Sequence, residues 1–210
     1  MSAARIHAYK LLAELLEYPT ARTAATAKLC AVFLESRSPA AADAIRLFAK
    51  AVDHRDVRDM EERYAAVFDF NPARTLDLGY QLFGETYKRG VFLVKMKESV
   101  LAHELDAGAE LPDHLPTVLR LLADLAPEEE PKDLAEEVIL PCVEKVLRSF
   151  EDDAGGYRSV LAGVKALLMA DFGVTHVEPP RGMMEEPASS TGFKLPMFPG
   201  FNPPVERVLS

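Results

Sequence analysis

The sequence contains no tryptophan, only two cysteines and no long uncharged apolar run. Cys30 and Cys142 lie far apart and belong to no CxxC motif, so we expect two reduced, buried thiols rather than a disulfide. No window approaches the roughly 18 uncharged apolar residues that a transmembrane helix needs. The first residues lead into an amphipathic stretch and do not resemble a signal peptide. We therefore expect a cytoplasmic protein that does not insert into a membrane.

Basic residues are outnumbered by acidic ones. The chain of 210 residues has 24 Lys and Arg against 33 Asp and Glu, which gives a net charge of -9. We expect no nucleic-acid partner, because neutralising phosphates requires clustered Lys and Arg. An acidic surface instead attracts basic partners and accelerates their encounter.

The motifs of common enzyme classes are absent from the sequence, including GxSxG, the Walker A loop, GxGxxG after a strand and HExxH. None of the five histidines has a second His or a Cys at metal-ligand spacing, so we expect neither a metal site nor a resident cofactor. A hydrolase using Asp113 and His114 is the weakest interpretation. Adjacent residues rarely form the Asp-His hydrogen bond of a catalytic triad, and no nucleophile accompanies them. We therefore predict a protein without catalytic activity.

Apolar residues recur at helical spacing along most of the chain, which predicts an all-α fold. The first predicted helix begins near Ile6 and stops before Pro19. The apolar side chains of Leu29, Val32 and Phe33 indicate a second helix, with alanines in its first turns.

Two further helix starts follow from capping residues. Ser38-Pro39 places an N-cap residue before a proline at the first helical position, so a third helix should begin there. A fourth is predicted from near Asp56 to Asn71-Pro72, with an apolar stripe on one face. The next stretch, 73–80, has no clean period and indicates a loop or a short helix.

The second half of the chain continues the helical pattern. A long helix is predicted through residues 91–101. Gly90 within this pattern indicates either close approach of another backbone or a tolerated surface position. Leu115-Pro116 predicts the start of the next helix. A helix from Lys132 to Phe150 should kink or divide at Pro141, and after a turn the last helix follows.

Beyond residue 172 the composition changes. Residues 173–210 contain seven prolines, with methionines and phenylalanines between them. Dense proline excludes a regular helix, so we predict a helical domain over 1–172 and an irregular Pro-rich tail, extended or disordered, over 173–210. The apolar residues of the tail fit two alternatives, either packing back along the domain or contacting a partner.

Three clusters of residues carry a family resemblance. They are Tyr-x-x-Val-Phe-Asp-Phe at 64–70, Gly-Glu-Thr with Arg-Gly close behind at 84–90, and Glu-Leu-Pro-Asp-His-Leu-Pro at 110–116. Their order resembles the NarJ branch of the TorD/DmsD/NarJ family of molybdoenzyme assembly chaperones, over about residues 5 to 170. Tyr64 stands where some members have Trp, and Val67 replaces the commoner Leu. The client could therefore belong to another branch of the same reductase superfamily.

The resemblance implies a single-domain helical bundle that acts as a cytoplasmic chaperone, as a monomer or a weak dimer. It would bind the N-terminal leader-like segment of the catalytic subunit of a nitrate reductase-like molybdoenzyme. It would assist insertion of iron-sulfur clusters and the molybdenum cofactor before membrane docking or export. A groove suits this task, because a basic amphipathic peptide can place its apolar side between helices and its charges near carboxylates. The peptide-binding residues that the resemblance implies are Tyr64, Val67, Phe68, Glu85, Arg89, Glu110, Asp113 and His114.

Simpler alternatives remain open for the same residues. Tyr64, Val67 and Phe68 have the spacing of residues that pack into a core. Asp113 could cap the helix that begins at Pro116, with His114 packed on the loop. For the whole protein, the alternative is an acidic helical scaffold or regulatory module that binds an unrelated basic partner.

Overall fold

The computed structural model of the protein describes residues 3–126, 129 and 131–180. Within these ranges there is no β-strand, and one isolated bridge joins Asp77 to His114. The all-α, single-domain prediction is confirmed. The α-helices, in chain order, are α1 (Ala3–Leu15), α2 (Thr23–Leu34), α3 (Pro39–Val52), α4 (Val57–Tyr64), α5 (Leu78–Phe83), α6 (Tyr87–Ala102), α7 (Leu115–Asp124), α8 (Pro131–Asp133), α9 (Leu140–Arg148) and α10 (Tyr157–Phe172).

The core forms where five helices meet. α3 packs against α2 and α10, while α1 packs against α2 and α7. Gly163 allows α10 to approach α3 closely, since a Cβ at this position would lie 2.9 Å from Ile45 Cδ1. Tyr9, Phe48 and Tyr157 are among the largest fully buried side chains.

Capping residues begin two helices as the sequence predicts. The Ser38 hydroxyl accepts a hydrogen bond from the Ala41 N–H at 3.3 Å, and Pro39 occupies the first turn of α3. The Asp56 carboxylate accepts from the Arg58 N–H at 3.0 Å at the start of α4. These bonds satisfy backbone donors that have no partner within their own helix.

The predicted second helix is present, but two of the three apolar residues that indicate it face outward. Leu29 and Val32 are 50% and 65% exposed. The buried face is instead formed by small residues such as Ala27, Cys30 and Ala31. Small side chains allow α2 to lie close to α1 and α3, so the apolar pattern and the packed face differ here.

Two predicted helices contain π-helical turns. α4 continues into a π-helix at Ala65–Asp69 and ends before Pro72. The helix predicted from Lys132 to Phe150 is divided into α8, a π-helix at Leu134–Ile139, and α9. Pro141 lies in the first turn of α9, which confirms the predicted division.

Of the two alternatives for Gly90, the tolerated surface position is correct and close approach of another backbone is wrong; in this part of the chain the glycine that needs its small size is Gly79. No atom lies within 4 Å of a Cβ built at Gly90, whereas a Cβ at Gly79 would lie 2.8 Å from Asp113 Oδ2. Gly79 belongs to α5, a short helix in the stretch that has no clean period. A 3₁₀ turn at Pro72–Arg74 precedes it.

The residues that follow α10 lie against the domain. Residues 174–178 have no regular secondary structure, and Val177 is buried. They line a shallow pocket together with Leu140 and Pro141 at the start of α9. The rest of the predicted tail, 181–210, lies outside the described residues, so the division at residue 172 stays a prediction.

Candidate functional site

An open groove of about 620 Å³ lies where the end of α1, the π-turn after α4 and the start of α7 meet. Residues 72–77 form one side of it, and the loop at 106–110 forms another. The lining side chains come from five separate parts of the sequence. They are Glu17, Tyr18, Tyr64, Phe68, Asp69, Pro72, Thr75, Leu76, Asp77, Asp106, Ala107, Gly108, Glu110, His114, Pro116, Thr117 and Arg120.

The floor of the groove is an aromatic cluster. The ring centroid of Tyr64 lies 5.4 Å from that of Tyr18, 5.0 Å from that of Phe68 and 5.6 Å from that of Tyr157. The Tyr64 hydroxyl donates to the Leu16 carbonyl oxygen at 3.0 Å, which ties α4 to the end of α1. Tyr64 and Phe68 are each only 5% exposed. They therefore serve the core and also present a small apolar surface to the groove.

The walls of the groove are acidic, with five carboxylates, Glu17, Asp69, Asp77, Asp106 and Glu110. Two of them are paired with guanidinium groups. Glu17 accepts from Arg120 at 2.6 Å, and Asp77 lies 3.4 Å from Arg89. Within the described part of the chain, Asp69 and Glu110 form no ion pair. The groove therefore carries negative charge that a basic ligand could neutralise.

The ionisation of the groove residues reflects this crowding of negative charge. Partial desolvation raises the pKa of Asp69 and the nearby charge of Glu110 raises it further, while His114 opposes the shift. Burial lowers the pKa of His114, although Glu110, Asp77 and Glu17 oppose that shift. Burial therefore disfavours the charged form of the imidazole. A cation entering the groove would favour the ionised form of Asp69.

Asp113 does not line the groove. It is fully buried, and its Oδ2 accepts a hydrogen bond from the Gly79 N–H at 2.7 Å. Burial raises the pKa of Asp113 to about 6. Its carboxylate caps α5, not the following helix α7 as one alternative predicted. The Asp113 carboxylate points to Gly79, and among the described residues it forms no hydrogen bond with the His114 imidazole. The geometry therefore does not support a catalytic dyad of these two residues.

The predicted site residues are only partly brought together. Tyr64, Phe68, Glu110 and His114 line the groove. The other four do not. Val67 is buried, Asp113 lies behind the groove wall, Glu85 is exposed between α5 and α6, and Arg89 reaches the groove only through its ion pair with Asp77.

Several groove residues were missed from the sequence. Glu17 and Tyr18 follow the end of α1, Asp77 precedes α5, and Arg120 lies one turn into α7. Each looks like an ordinary surface residue in its own segment.

Cysteine and metal chemistry do not contribute to this groove. Cys30 and Cys142 are both buried. Burial raises the pKa of Cys30 to about 12 and also raises that of Cys142. Both thiols are therefore unreactive at pH 7. Across the described residues, no group of three or more His, Cys, Asp or Glu is placed to hold a metal ion. In the same part of the chain, no helix is long and apolar enough to cross a membrane.

Comparison with known proteins identifies the family. The family model described as "Nitrate reductase delta subunit" matches residues 12–152. The chain is also 34% identical over 89 residues to the protein named nitrate reductase molybdenum cofactor assembly chaperone NarJ of Escherichia coli strain K12. The same identity is found for the protein of that name from Escherichia coli O157:H7. Each match spans 42% of this chain and 38% of the relative. Because the family match covers well over half of the chain, this protein belongs to the nitrate reductase delta subunit family.

Proposed function

We propose that this protein is a cytoplasmic assembly chaperone for a molybdoenzyme of the nitrate reductase type. It binds the N-terminal leader-like segment of the catalytic subunit in the groove. It holds that subunit until the iron-sulfur clusters and the molybdenum cofactor are inserted, before membrane docking or export. This work consists of reversible binding, and no catalytic group is required for it.

The observation that carries the proposal is the combination of an aromatic floor with unpaired carboxylates. Tyr18, Tyr64 and Phe68 provide apolar contact. Asp69 and Glu110 provide negative charge that no Lys or Arg of the described residues pairs with, although His114 lies near both. A helical peptide with apolar residues on one side and Lys or Arg on the other matches both features. The charges would set the orientation and the rate of encounter, and the aromatic floor would receive the apolar side of the peptide.

Family membership supports the same conclusion from another direction. The two curated relatives are named as assembly chaperones for the molybdenum cofactor of nitrate reductase. The family match at 12–152 includes every residue that lines the groove, from Glu17 to Arg120. The groove is thus formed by the part of the chain that the family shares.

Isothermal titration calorimetry tests the proposal directly. The full chain is titrated with a synthetic peptide of the first 20 or so residues of the catalytic subunit, long enough for about five helical turns. A second peptide has the same composition in scrambled order, so its charge is identical but its apolar face is lost. We expect saturable one-to-one binding of the native peptide and at least tenfold weaker binding of the scrambled one.

Equal binding of the two peptides would contradict the proposal and favour the alternative, an acidic scaffold that attracts any basic partner. Absence of binding by either peptide would remove the groove as the client site.

A further inference from the structure

The two stretches that form the groove wall beside His114 are joined by backbone hydrogen bonds. The Leu115 N–H donates to the Leu76 carbonyl oxygen at 2.9 Å, and the Leu78 N–H donates to the Asp113 carbonyl oxygen at 3.1 Å. These bonds flank the isolated bridge between Asp77 and His114. The starts of α5 and α7 are therefore fixed to each other, and this junction determines how far apart Asp77 and His114 lie.

The cap of α5 is unusual. Asp77 occupies the N-cap position, yet its side chain makes no capping hydrogen bond. Its carboxylate instead lies against Arg89 and faces the groove. In most helices the N-cap side chain would accept a hydrogen bond from the N–H at this position. Here the Gly79 N–H donates instead to Oδ2 of Asp113, which lies 34 positions further along the chain. Asp113 thus replaces the N-cap side chain, so that the carboxylate of Asp77 can pair with Arg89 and face the groove.

The fit around this bond is close. A Cβ at Gly79 would lie 2.8 Å from Asp113 Oδ2 and 2.9 Å from Phe92 Cδ1. The other oxygen, Asp113 Oδ1, is buried without a hydrogen-bond partner among the described residues. A buried carboxylate that is only half satisfied is costly. We therefore look for a role of the Asp113–Gly79 hydrogen bond that goes beyond packing and offsets the cost of burying this carboxylate.

We infer that Asp113 is a positioning residue, which shapes the groove without contacting the bound peptide. It locks α5 onto the start of α7 and thereby holds Asp77 and His114 at the groove wall. This inference rests on the proposed function, because its binding test measures the affinity for the client peptide. It assigns Asp113 an indirect role in place of the client contact expected from sequence, because the side chain is fully buried.

Three substitutions test this junction. Asp113→Ala removes the cap, and Gly79→Ala displaces the same bond from its other side. Asp113→Asn retains an oxygen that can accept from the Gly79 N–H. We expect the first two variants to weaken binding of the client peptide by about fivefold or more, because the binding-competent wall is then only partly populated. Asp113→Asn should stay within about twofold of the wild type, since its cap is conserved.

Two glycine controls separate positioning from general stability. Gly163→Ala crowds Ile45 at the contact of α10 with α3, away from the groove, and so destabilises the fold by a similar mechanism. Gly90→Ala meets no atom within 4 Å. Both should bind the peptide like the wild type, at a temperature where circular dichroism shows every variant folded. The double variant Gly79→Ala/Asp113→Ala should lose no more affinity than the more strongly affected single variant. The reason is that both substitutions break the same hydrogen bond, the one between the Gly79 N–H and Asp113 Oδ2.

The inference would be overturned if Gly79→Ala bound the client peptide as tightly as the wild type. It would also be overturned if Gly163→Ala lost as much affinity for the peptide as Gly79→Ala. Failure of Asp113→Ala to fold would leave Gly79→Ala and Asp113→Asn to decide it. A readout without any client separates this inference from the proposed function. Hydrogen exchange at the amides of Leu78 and Leu115 should accelerate in Gly79→Ala and not in Gly90→Ala, even if the wild type binds no client peptide. Unchanged exchange would refute the junction itself.

Discussion

Neutralising Asp69 and Glu110 should weaken binding of the basic client peptide in a salt-dependent manner. The variants are Asp69→Asn, Glu110→Gln and the combination of both. Neither carboxylate forms an ion pair with Lys or Arg within the described residues, although the His114 imidazole lies near both, so neither substitution breaks a Lys or Arg ion pair of the folded protein. Their effect should therefore appear in binding and not in stability.

The magnitude follows from the position of these charges. Two unit charges 4 Å apart interact by about 1 kcal/mol in water and by about 4 kcal/mol at an effective dielectric constant of about 20. Asp69 and Glu110 are exposed at the groove edge, so each contact should contribute about 0.5 to 1 kcal/mol, near the value for surface ion pairs. We expect a loss of about two- to fivefold for each single variant and about tenfold for both.

Calorimetry at two salt concentrations is the assay, and Glu85→Gln is the matched control. Glu85 is exposed and lies outside the groove, and its neutralisation changes the net charge by the same amount. The losses should largely disappear near 1 M salt, where the screening length is about 3 Å. An equal loss in Glu85→Gln would show that total charge is responsible. No loss in the double variant would show that the groove does not meet the basic side of the peptide.

Three further outcomes follow from the same contacts. Phe68→Ala should lower the free energy of unfolding by about 3 to 5 kcal/mol in chemical denaturation, because the ring is buried against Tyr64 and Tyr157; a change below about 1 kcal/mol would refute its place in the core. Ser38→Ala should cost about 0.5 to 2 kcal/mol through loss of the α3 cap, and a neutral result would contradict that cap. The folded-state pKa of Asp113, about 6, lies above its unfolded value, so wild-type stability should fall relative to Asp113→Asn by about 2 to 3 kcal/mol between pH 4 and pH 6.5. Parallel stability curves for these two proteins would contradict the buried carboxylate.

Local signals were sufficient to predict most of the helices. Ser38-Pro39 and Asp56 begin their helices because capping is decided by neighbouring residues, and Pro141 divides its helix for a similarly local reason. The packed face of α2 was not predictable in this way. Its buried residues are small, and the apolar Leu29 and Val32 point outward, so contact with α1 and α3 overrides the pattern.

The groove was harder to predict because its parts are distant in sequence. Tyr64 and Phe68 were found through the family motif, although burial alone explains much of their pattern. Asp113 and His114 are adjacent, yet one is fully buried behind the wall and the other lines the groove. Adjacent residues at a helix start point in different directions, and a motif does not report which of them faces a ligand. The cap between Asp113 and Gly79 spans 34 positions and gives no local signal.

Locating the bound peptide is the most direct test of the central claim. A nitroxide spin label is attached to the N-terminal peptide of the catalytic subunit, and the broadening of backbone amide signals is measured in the isotope-labelled full chain. We predict the strongest broadening around residues 64–70, 75–77 and 106–117 and much weaker broadening at residues 166–178, because Tyr157 at the start of α10 touches the groove floor while the other end of that helix lies away from it. Broadening centred on residues 166–178, or spread evenly over the surface, would contradict the groove as the binding site.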